Sequence, residues 1–423
     1  MENRYIIEGK LICSSSLLAG LINKYKNLFI GHKNIMVHSQ KVLPLILAIH
    51  LCEELKLNLF ICHSFFTKND VVDYVNEYDI DLLIYDEIEL TLCYSEYGIS
   101  EESTSEANIN IFTTGTTGKP KLARHSWESI SMATKHVSSR LRDKQWLMAY
   151  SFTGYAGLQI FFSAQKGNGT LIFVDQKNFD QTCYSIVKHN INVISATPTF
   201  WRMLINSWPK SLARPMLEQL TMGGEIITQD IIDMCDDFFS PKQLTHIYAS
   251  TEAGSAIAVS DKKAGFPISY LNSDRKIKLR IKKNMLEIKS KGRMKGYVGL
   301  NQQAKDGQWI LTGDLIEIKN ERCYFIGRND CKINIGGSKV LPEEVEDVLN
   351  KLKGVEDCVV YEKKNPIVGS ILAADIKTKS GFELKIPKIK TELSLVLPQF
   401  KIPQYYKKVE NIGISENGKK IRS

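Results

Sequence analysis

Short β-forming runs alternate with helix-length stretches along much of this chain, which predicts an α/β protein with mostly parallel strands. One series covers residues 35–38, 42–55, 58–62, 70–78 and 82–85. A second covers 171–175, a helix over 181–189, a strand at 193–196 and a helix beginning near Thr199. Size is the third observation. A chain of 423 residues, 43% hydrophobic and 24% charged, is long enough for two or three domains and a large buried core.

Residues 95–110 are polar and acidic and read as an exposed linker into a strand at Ile111 and Phe112. Helical spacing follows over 126–141. Residues 146–157 mix aromatic and small side chains, a composition suited to walling an apolar pocket or to a core strand and turn. Residues 220–225 read as a strand ending in Gly223 and Gly224, and 285–289 as a strand with one solvated face. Pro342 fits the first position of a helix starting near Leu341, with Glu343 and Glu344 in its first turn where carboxylates suit the helix dipole. The tail then alternates extended and helical patches over 355–361, 388–397 and 402–409.

The sequence Ile-Phe-Thr-Thr-Gly-Thr-Thr-Gly-Lys-Pro-Lys at 111–121 has the chemistry of a phosphate loop. Glycines let the backbone approach an anion, and hydroxyls and ammoniums add donors. An ordinary surface turn uses the same residue types. The Walker pattern fails, because Thr113 stands where its first glycine belongs and Pro120 disfavours a helical Lys119.

Further along, 246–254 reads His-Ile-Tyr-Ala-Ser-Thr-Glu-Ala-Gly, 309–315 reads Trp-Ile-Leu-Thr-Gly-Asp-Leu, and 324–346 runs from Tyr-Phe-Ile-Gly-Arg-Asn-Asp through Gly336-Gly337 to the Pro342 helix. An aromatic ring can stack on a purine, and a carboxylate can bind Mg²⁺ or accept both hydroxyls of a ribose. The chain closes on Gly418-Lys419-Lys420-Ile421-Arg422.

Taken in this order the motifs resemble those of the adenylate-forming enzymes: acyl- and aryl-CoA synthetases, luciferases and peptide-synthetase adenylation domains. The likeness covers roughly residues 30 to 423 and is nearest to stand-alone acyl and aryl-CoA ligases. It implies a large multi-layered N-terminal domain over 1–329 with αβ-layered subdomains, and a small mobile α+β C-terminal domain over 330–423 that hinges at Asp330. About 110 residues precede the phosphate loop, fewer than is usual in the family, so the N-terminal part is expected to be shortened.

The resemblance assigns ATP to Thr113, Thr114, Gly115, Thr116, Thr117, Gly118, Lys119 and Lys121, with Gly224 and Glu225 beside the nucleotide. Tyr248 would lie on the adenine, Thr251 at the α-phosphate, Asp314 on the ribose and Arg328 on ribose or phosphates. Glu252 would hold Mg²⁺ and Lys419 would be the catalytic lysine. Phe152, Tyr155, Gly223, His246, Ala249 and Gly254 are candidates for the acyl pocket, although a lone histidine is more often structural. Gly336 and Gly337 would flank the path of the pantetheine thiol.

The implied activity is ATP-dependent activation of a carboxylic acid as acyl-AMP and its transfer to CoA, or alternatively to the phosphopantetheine of an acyl carrier protein in specialised-metabolite or polyketide synthesis. No Asp lies between Lys144 and Val174 to pair with an α-amino group, which favours an aryl or medium apolar acid. Residues 330–423 hold 17 Lys and Arg against 13 Asp and Glu, an excess that suits CoA phosphates or an acidic carrier. A homologue that binds nucleotide or acyl chain without turnover is the reading from another class.

A net charge of +8 does not choose a partner, but without an aromatic-interleaved basic stripe or zinc-finger spacing it argues against nucleic acid. The sequence has no apolar run long enough to span a bilayer and no secretory pattern at its start. Nine scattered cysteines without Cys-x-x-Cys spacing suit a reduced, cytoplasmic protein without structural zinc.

Overall fold

The computed structural model describes residues 4–9, 11–88, 90–97, 106–113, 120–135, 137–176, 178–271, 275–299, 307–335, 338–365, 369–415 and 420–422. Within them two large sheets face each other across a layer of helices. The eight-stranded sheet runs, edge to edge, Gly254–Val259, Leu244–Ser250, Gln219–Gly223, Val193–Ala196, Gln145–Met148, Thr170–Phe173, Arg4–Glu8 and Leu11–Ser14. Its inner strands are parallel and its two edge strands antiparallel. The seven-stranded sheet runs Gly296–Tyr297, Lys121–Ser126, Asn108–Thr113, Asn58–Ile61, Asn34–Val37, Leu82–Ile88 and Thr91–Glu96, with parallel pairing at its centre.

Between the sheets lie the helices Ser15–Phe29, Val42–Leu55 and Tyr155–Lys166, which share one hydrophobic core with the inward faces of both sheets. Val42–Leu55 is apolar almost all round, as a helix covered on both sides must be. Strand alternation sends Ile35 and Val37 into this core and Met36 to the opposite face, where the helix Lys68–Glu77 covers it. That helix is fixed by a reciprocal cap in which Thr67 and Asp70 bond each other's backbone N–H. Helices Phe179–Lys188, Pro198–Asn206 and Gln229–Phe239 cover the outer face of the eight-stranded sheet. The result is five alternating layers, α–β–α–β–α.

A five-stranded antiparallel sheet follows, and then a smaller unit with its own core. This unit contains the helix Pro342–Asn350, the hairpin Val355–Asn365 with Gly369–Thr378, the helix Ile386–Ser394 and the strand Tyr405–Lys408. The expected class, a large layered domain with a small α+β domain after it, holds.

Two local expectations fail. Residues 126–141 do not form one helix: Trp127–Ile130 is a single turn, with 3₁₀ turns at Met132–Thr134 and Ser139–Leu141. Ser131 Oγ donates to the Trp127 carbonyl and Thr134 Oγ1 to that of Ser131, so polar side chains compete for the groups a helix would use. The linker over 95–110 is likewise too long, because the strand begins at Asn108. Asn108 and Asn110 are buried there, their amides donating to the carbonyls of Glu106 and Leu59.

Candidate active site

The carboxyl ends of both sheets open into one cleft of about 1910 Å³, bordered also by the five-stranded sheet and the C-terminal unit. Crevices at strand carboxyl ends are where open α/β sheets bind ligands.

On one wall, Asn108–Thr113 and Lys121–Ser126 form a hairpin whose last pair is Thr113 opposite Lys121, with Thr113 Oγ1 donating to the Lys121 carbonyl at 3.1 Å. The two ends of the 113–121 segment are thereby pinned together. Thr114, Gly115, Thr116, Thr117, Gly118 and Lys119 lie outside the described residues. The short strand Gly296–Tyr297 pairs with the hairpin's outer edge and carries Tyr297 to Glu252, whose Oε1 accepts from the tyrosine hydroxyl at 2.7 Å. Lys121 Nζ stands 5.5 Å from the centre of the same ring. Burial first, and then the Glu252 carboxylate, push the Tyr297 phenol well above its ordinary pKa, so it remains a donor. Thr251 is anchored through its carbonyl, 2.8 Å from His125 Nε2. Burial holds the His125 pKa down at about 4, and the ring stays neutral at ordinary pH.

The opposite wall carries Tyr248, Asp314, Phe325 and Arg328. Asp314 and Arg328 are cross-strand partners, with Arg328 Nη1 4.0 Å from Asp314 Oδ1. The Tyr248 hydroxyl donates to Asp314 Oδ2, and Phe325 stacks on the Tyr248 ring at 4.6 Å with 9° between the planes. One face of Tyr248 is therefore taken by Phe325. A flat ligand would use the other face or the ring edge.

A neutral recess extends between helix Tyr155–Lys166 and the eight-stranded sheet. Tyr155, Ala156 and Gln159 line it from the helix, and Ser195, Thr221, Gly223, Ile247 and Ala249 from the sheet. Below it the Gln219 amide donates to Thr221 Oγ1 at 3.1 Å and to Thr245 Oγ1 at 3.0 Å, and its oxygen accepts from Arg140. Gly224 takes φ +86°, a left-handed conformation that turns the chain away from the recess. At Gly157 a Cβ would stand 2.2 Å from the Ser151 carbonyl, so the helix approaches the 151–154 loop closely only because this residue is glycine.

Phe152 and His246 are placed otherwise than expected, while Gly254 and Glu225 have close partners of their own. Phe152 points into the core, packing on Phe161 and Phe173 at 5.3 and 5.5 Å, and lines a separate cavity of about 360 Å³. His246 pairs with Met222 and so occupies the face of its strand opposite Ile247 and Ala249, with Nε2 2.9 Å from the Lys263 carbonyl. It borders the cleft near Phe266 and Tyr324, away from the recess, and burial lowers its pKa. Gly254 backs onto Gly292, whose carbonyl would stand 2.6 Å from a Cβ. Glu225 gives its carboxylate to Thr199, whose N–H and Oγ1 donate at 2.9 and 2.8 Å, capping helix Pro198–Asn206 at the edge of the cleft.

Asp330 falls in the 3₁₀ turn Asn329–Cys331, while Gly336, Gly337 and Lys419 lie outside the described residues. The sequence reading missed Tyr297 as the partner of Glu252 and Phe325 as the partner of Tyr248. Both pairs join distant segments, and neither leaves a local signal. Among the described residues no group of three or more His, Cys, Asp or Glu is arranged to enclose a metal. One carboxylate beside hydroxyls and a lysine instead fits Mg²⁺ shared with a polyphosphate, since Mg²⁺ takes few protein ligands when phosphates supply the rest.

The family model for the AMP-binding enzymes matches residues 78–287, a span that holds the motifs at 111–121 and 246–254 and ends before those at 309–346. Surfactin synthase subunit 2 of Bacillus subtilis is 27% identical over 353 residues, covering 74% of this chain; the chain spans only 10% of that protein's length. The 2-succinylbenzoate–CoA ligase of Staphylococcus aureus is 23% identical, with 98% of this chain and 93% of that protein covered. Among solved structures, o-succinylbenzoate CoA synthetase of Bacillus subtilis in complex with its acyl-adenylate OSB-AMP superposes with a TM-score of 0.75 at 18% identity, covering all of this chain and 94% of that one.

Proposed function

We propose, starting from the AMP-binding-enzyme domain matched over 78–287, that this protein is an AMP-forming acid–thiol ligase. It joins a carboxylic acid to ATP as acyl-AMP and passes the acyl group to the thiol of a phosphopantetheine arm. The observation that carries this reading is one cleft with two complementary walls: Lys121, Glu252 and Tyr297 where a polyphosphate would lie, and Asp314, Arg328 and Tyr248 where a nucleoside would lie.

The acid's carboxylate oxygen attacks the α-phosphorus, the bond to the bridging oxygen breaks, and pyrophosphate leaves. No base is needed, because the nucleophile is already ionised. Charge gathers on phosphate oxygens, so catalysis requires positioned donors and cations. Lys121, the loop 113–121, Thr251 and Lys419 supply them in this reading, and Mg²⁺ at Glu252 would neutralise phosphate charge when bound. The thiol sulfur then attacks the acyl carbonyl, AMP leaves with the bonding pair, and the thiol proton is released.

The neutral lining of the recess supports an aryl or medium apolar acid, since an α-ammonium would be left unpaired there. For the second step the domain over 330–423 would turn about Asp330, exchanging Lys419 for the Gly336–Gly337 path. CoA is the first acceptor to consider. A carrier protein is favoured by one surface: Leu395, Val396 and Phe400 are 79%, 64% and 40% exposed, within a segment, 385–408, that carries six lysines and one glutamate. CoA phosphates would use the charge but not the apolar side chains. Among the described residues no helix is long and apolar enough to cross a membrane.

The test is hydroxamate formation from MgATP, hydroxylamine and a panel of aryl, fatty and amino acids. The expected result is turnover with one class of acid that is lost in Lys419→Ala. Tight ATP binding with no turnover on any acid would favour the non-catalytic homologue.

A further inference from the structure

Two adjacent lysines precede Ile421 and Arg422, and the second of them has defined partners. The Lys420 side chain is only 9% exposed; its Nζ donates to Asp357 Oδ1 at 2.5 Å and to the Cys358 carbonyl at 2.6 Å. Asp357 Oδ1 also accepts from the Cys358 N–H at 2.9 Å. Arg422 Nη2 lies 2.9 Å from Glu346 Oε2 and 3.2 Å from Glu343 Oε1, and Glu346 Oε1 accepts from the Val360 N–H at 2.8 Å. The backbone adds an antiparallel bridge between Ile414 and Lys420 and a bond from the Ile421 N–H to the Gly413 carbonyl at 2.9 Å.

Burial acts to lower the Lys420 pKa, but the carboxylates of Asp357 and Glu346 outweigh it, so the ammonium stays charged. Lys420 borders the cleft, and its charge reaches Glu225 on the facing wall, where it opposes the upward shift that burial imposes on that carboxyl. A lysine already bonded to two acceptors is not free to follow a reacting phosphate.

We propose that Lys420 is a positioning residue for acyl-adenylate formation: locked on Asp357 and Cys358, with Arg422 held by Glu343 and Glu346, it fixes the chain immediately after Lys419 to the C-terminal domain. Lys420 is the residue bonded directly to Lys419 in the chain, so its anchoring acts on the adjoining peptide. Lys420 holds the segment, and Lys419 is left for the chemistry. The inference rests on the proposed ligase reading.

The test uses the full chain as Lys420→Met, Lys420→Arg and Arg422→Met, with three readouts. These are acyl-AMP formation trapped by hydroxylamine, thioester formation from supplied acyl-adenylate, and hydrogen exchange at the Ile421 amide. A misplacement near 1 Å costs about 100-fold. Lys420→Met should therefore lower kcat for adenylation about 100-fold with KM for ATP within about threefold, leave the thioester step within about threefold, and speed Ile421 exchange more than about tenfold. Lys420→Arg should restore much of the adenylation rate. Arg422→Met should give the same split, weaker, and serves if Lys420→Met does not fold.

Equal loss in both half-reactions, no loss in either, or unchanged Ile421 exchange overturns the proposal. If the unmodified protein makes no acyl-adenylate with any acid, the ligase reading falls; the positioning role for adenylation falls with it, and Ile421 exchange then reports only whether Lys420 anchors the segment.

Discussion

Tyr297→Phe removes one hydroxyl and tests the proposal that Glu252 holds Mg²⁺ with the help of this hydrogen bond. The tyrosine donates to Glu252 Oε1 at 2.7 Å, a hydrogen bond to a charged acceptor in a half-buried setting. Such bonds contribute about 1.5–3 kcal/mol, and groups that orient a metal-binding carboxylate typically change metal affinity about 10–100-fold. The phenylalanine ring keeps the packing under Lys121, so the loss is confined to the hydroxyl. Titrating Mg²⁺ at fixed ATP and acid while following hydroxamate should show half-saturation moved up about 10–100-fold, with kcat at saturating Mg²⁺ within about threefold. Unchanged Mg²⁺ dependence, or tighter Mg²⁺ use, would refute the reasoning and make Tyr297 a competitor for the carboxylate.

Acid should weaken the fold through two buried histidines. Burial lowers His63 and His125 from the usual 6.5 to about 4, so between those values the unfolded chain binds protons that the folded chain refuses; stability is full above pH 6.5 and falls as pH drops toward 4. Each contributes about 2 kcal/mol of loss by pH 5, and urea unfolding should show a smaller pH 7 to 5 difference in His125→Gln than in the unmodified protein; equal differences would contradict the assignment. Gly157→Ala forces its new methyl against the Ser151 carbonyl and should destabilise the protein by about 1–3 kcal/mol while raising KM for the acid, read by thermal unfolding and initial rates. Asp330→Pro should impair thioester formation more than adenylation, and equal losses would contradict a hinge there.

What could be read from the sequence divides along the range of the interactions. Val42–Leu55 was legible with its bounds, because fourteen residues, apolar without a break over 42–49 and with Glu53 and Glu54 near the end, are too long for a strand. Pro342 at a helix start was legible because its missing N–H belongs there. The helix Ser15–Phe29 carries a usable signal that went unread, the Ser14 side chain accepting from the Leu17 N–H. His246 was misplaced despite a local rule: period-two alternation on one strand puts it with Tyr248 and opposite Ile247 and Ala249. Phe152 sits beside recess residues in sequence, yet the turn before helix Tyr155–Lys166 sends its ring into the core. Glu225 with Thr199, Glu252 with Tyr297 and Lys420 with Asp357 are side-chain meetings across 26, 45 and 63 residues, which no short window contains.

The most direct measurement is ³¹P NMR of ATP incubated with the protein, Mg²⁺, the best acid of the panel and CoA. The account predicts AMP and pyrophosphate in equal amounts, matched by thioester. Cleavage to ADP and phosphate, or no acid-dependent cleavage, would contradict it.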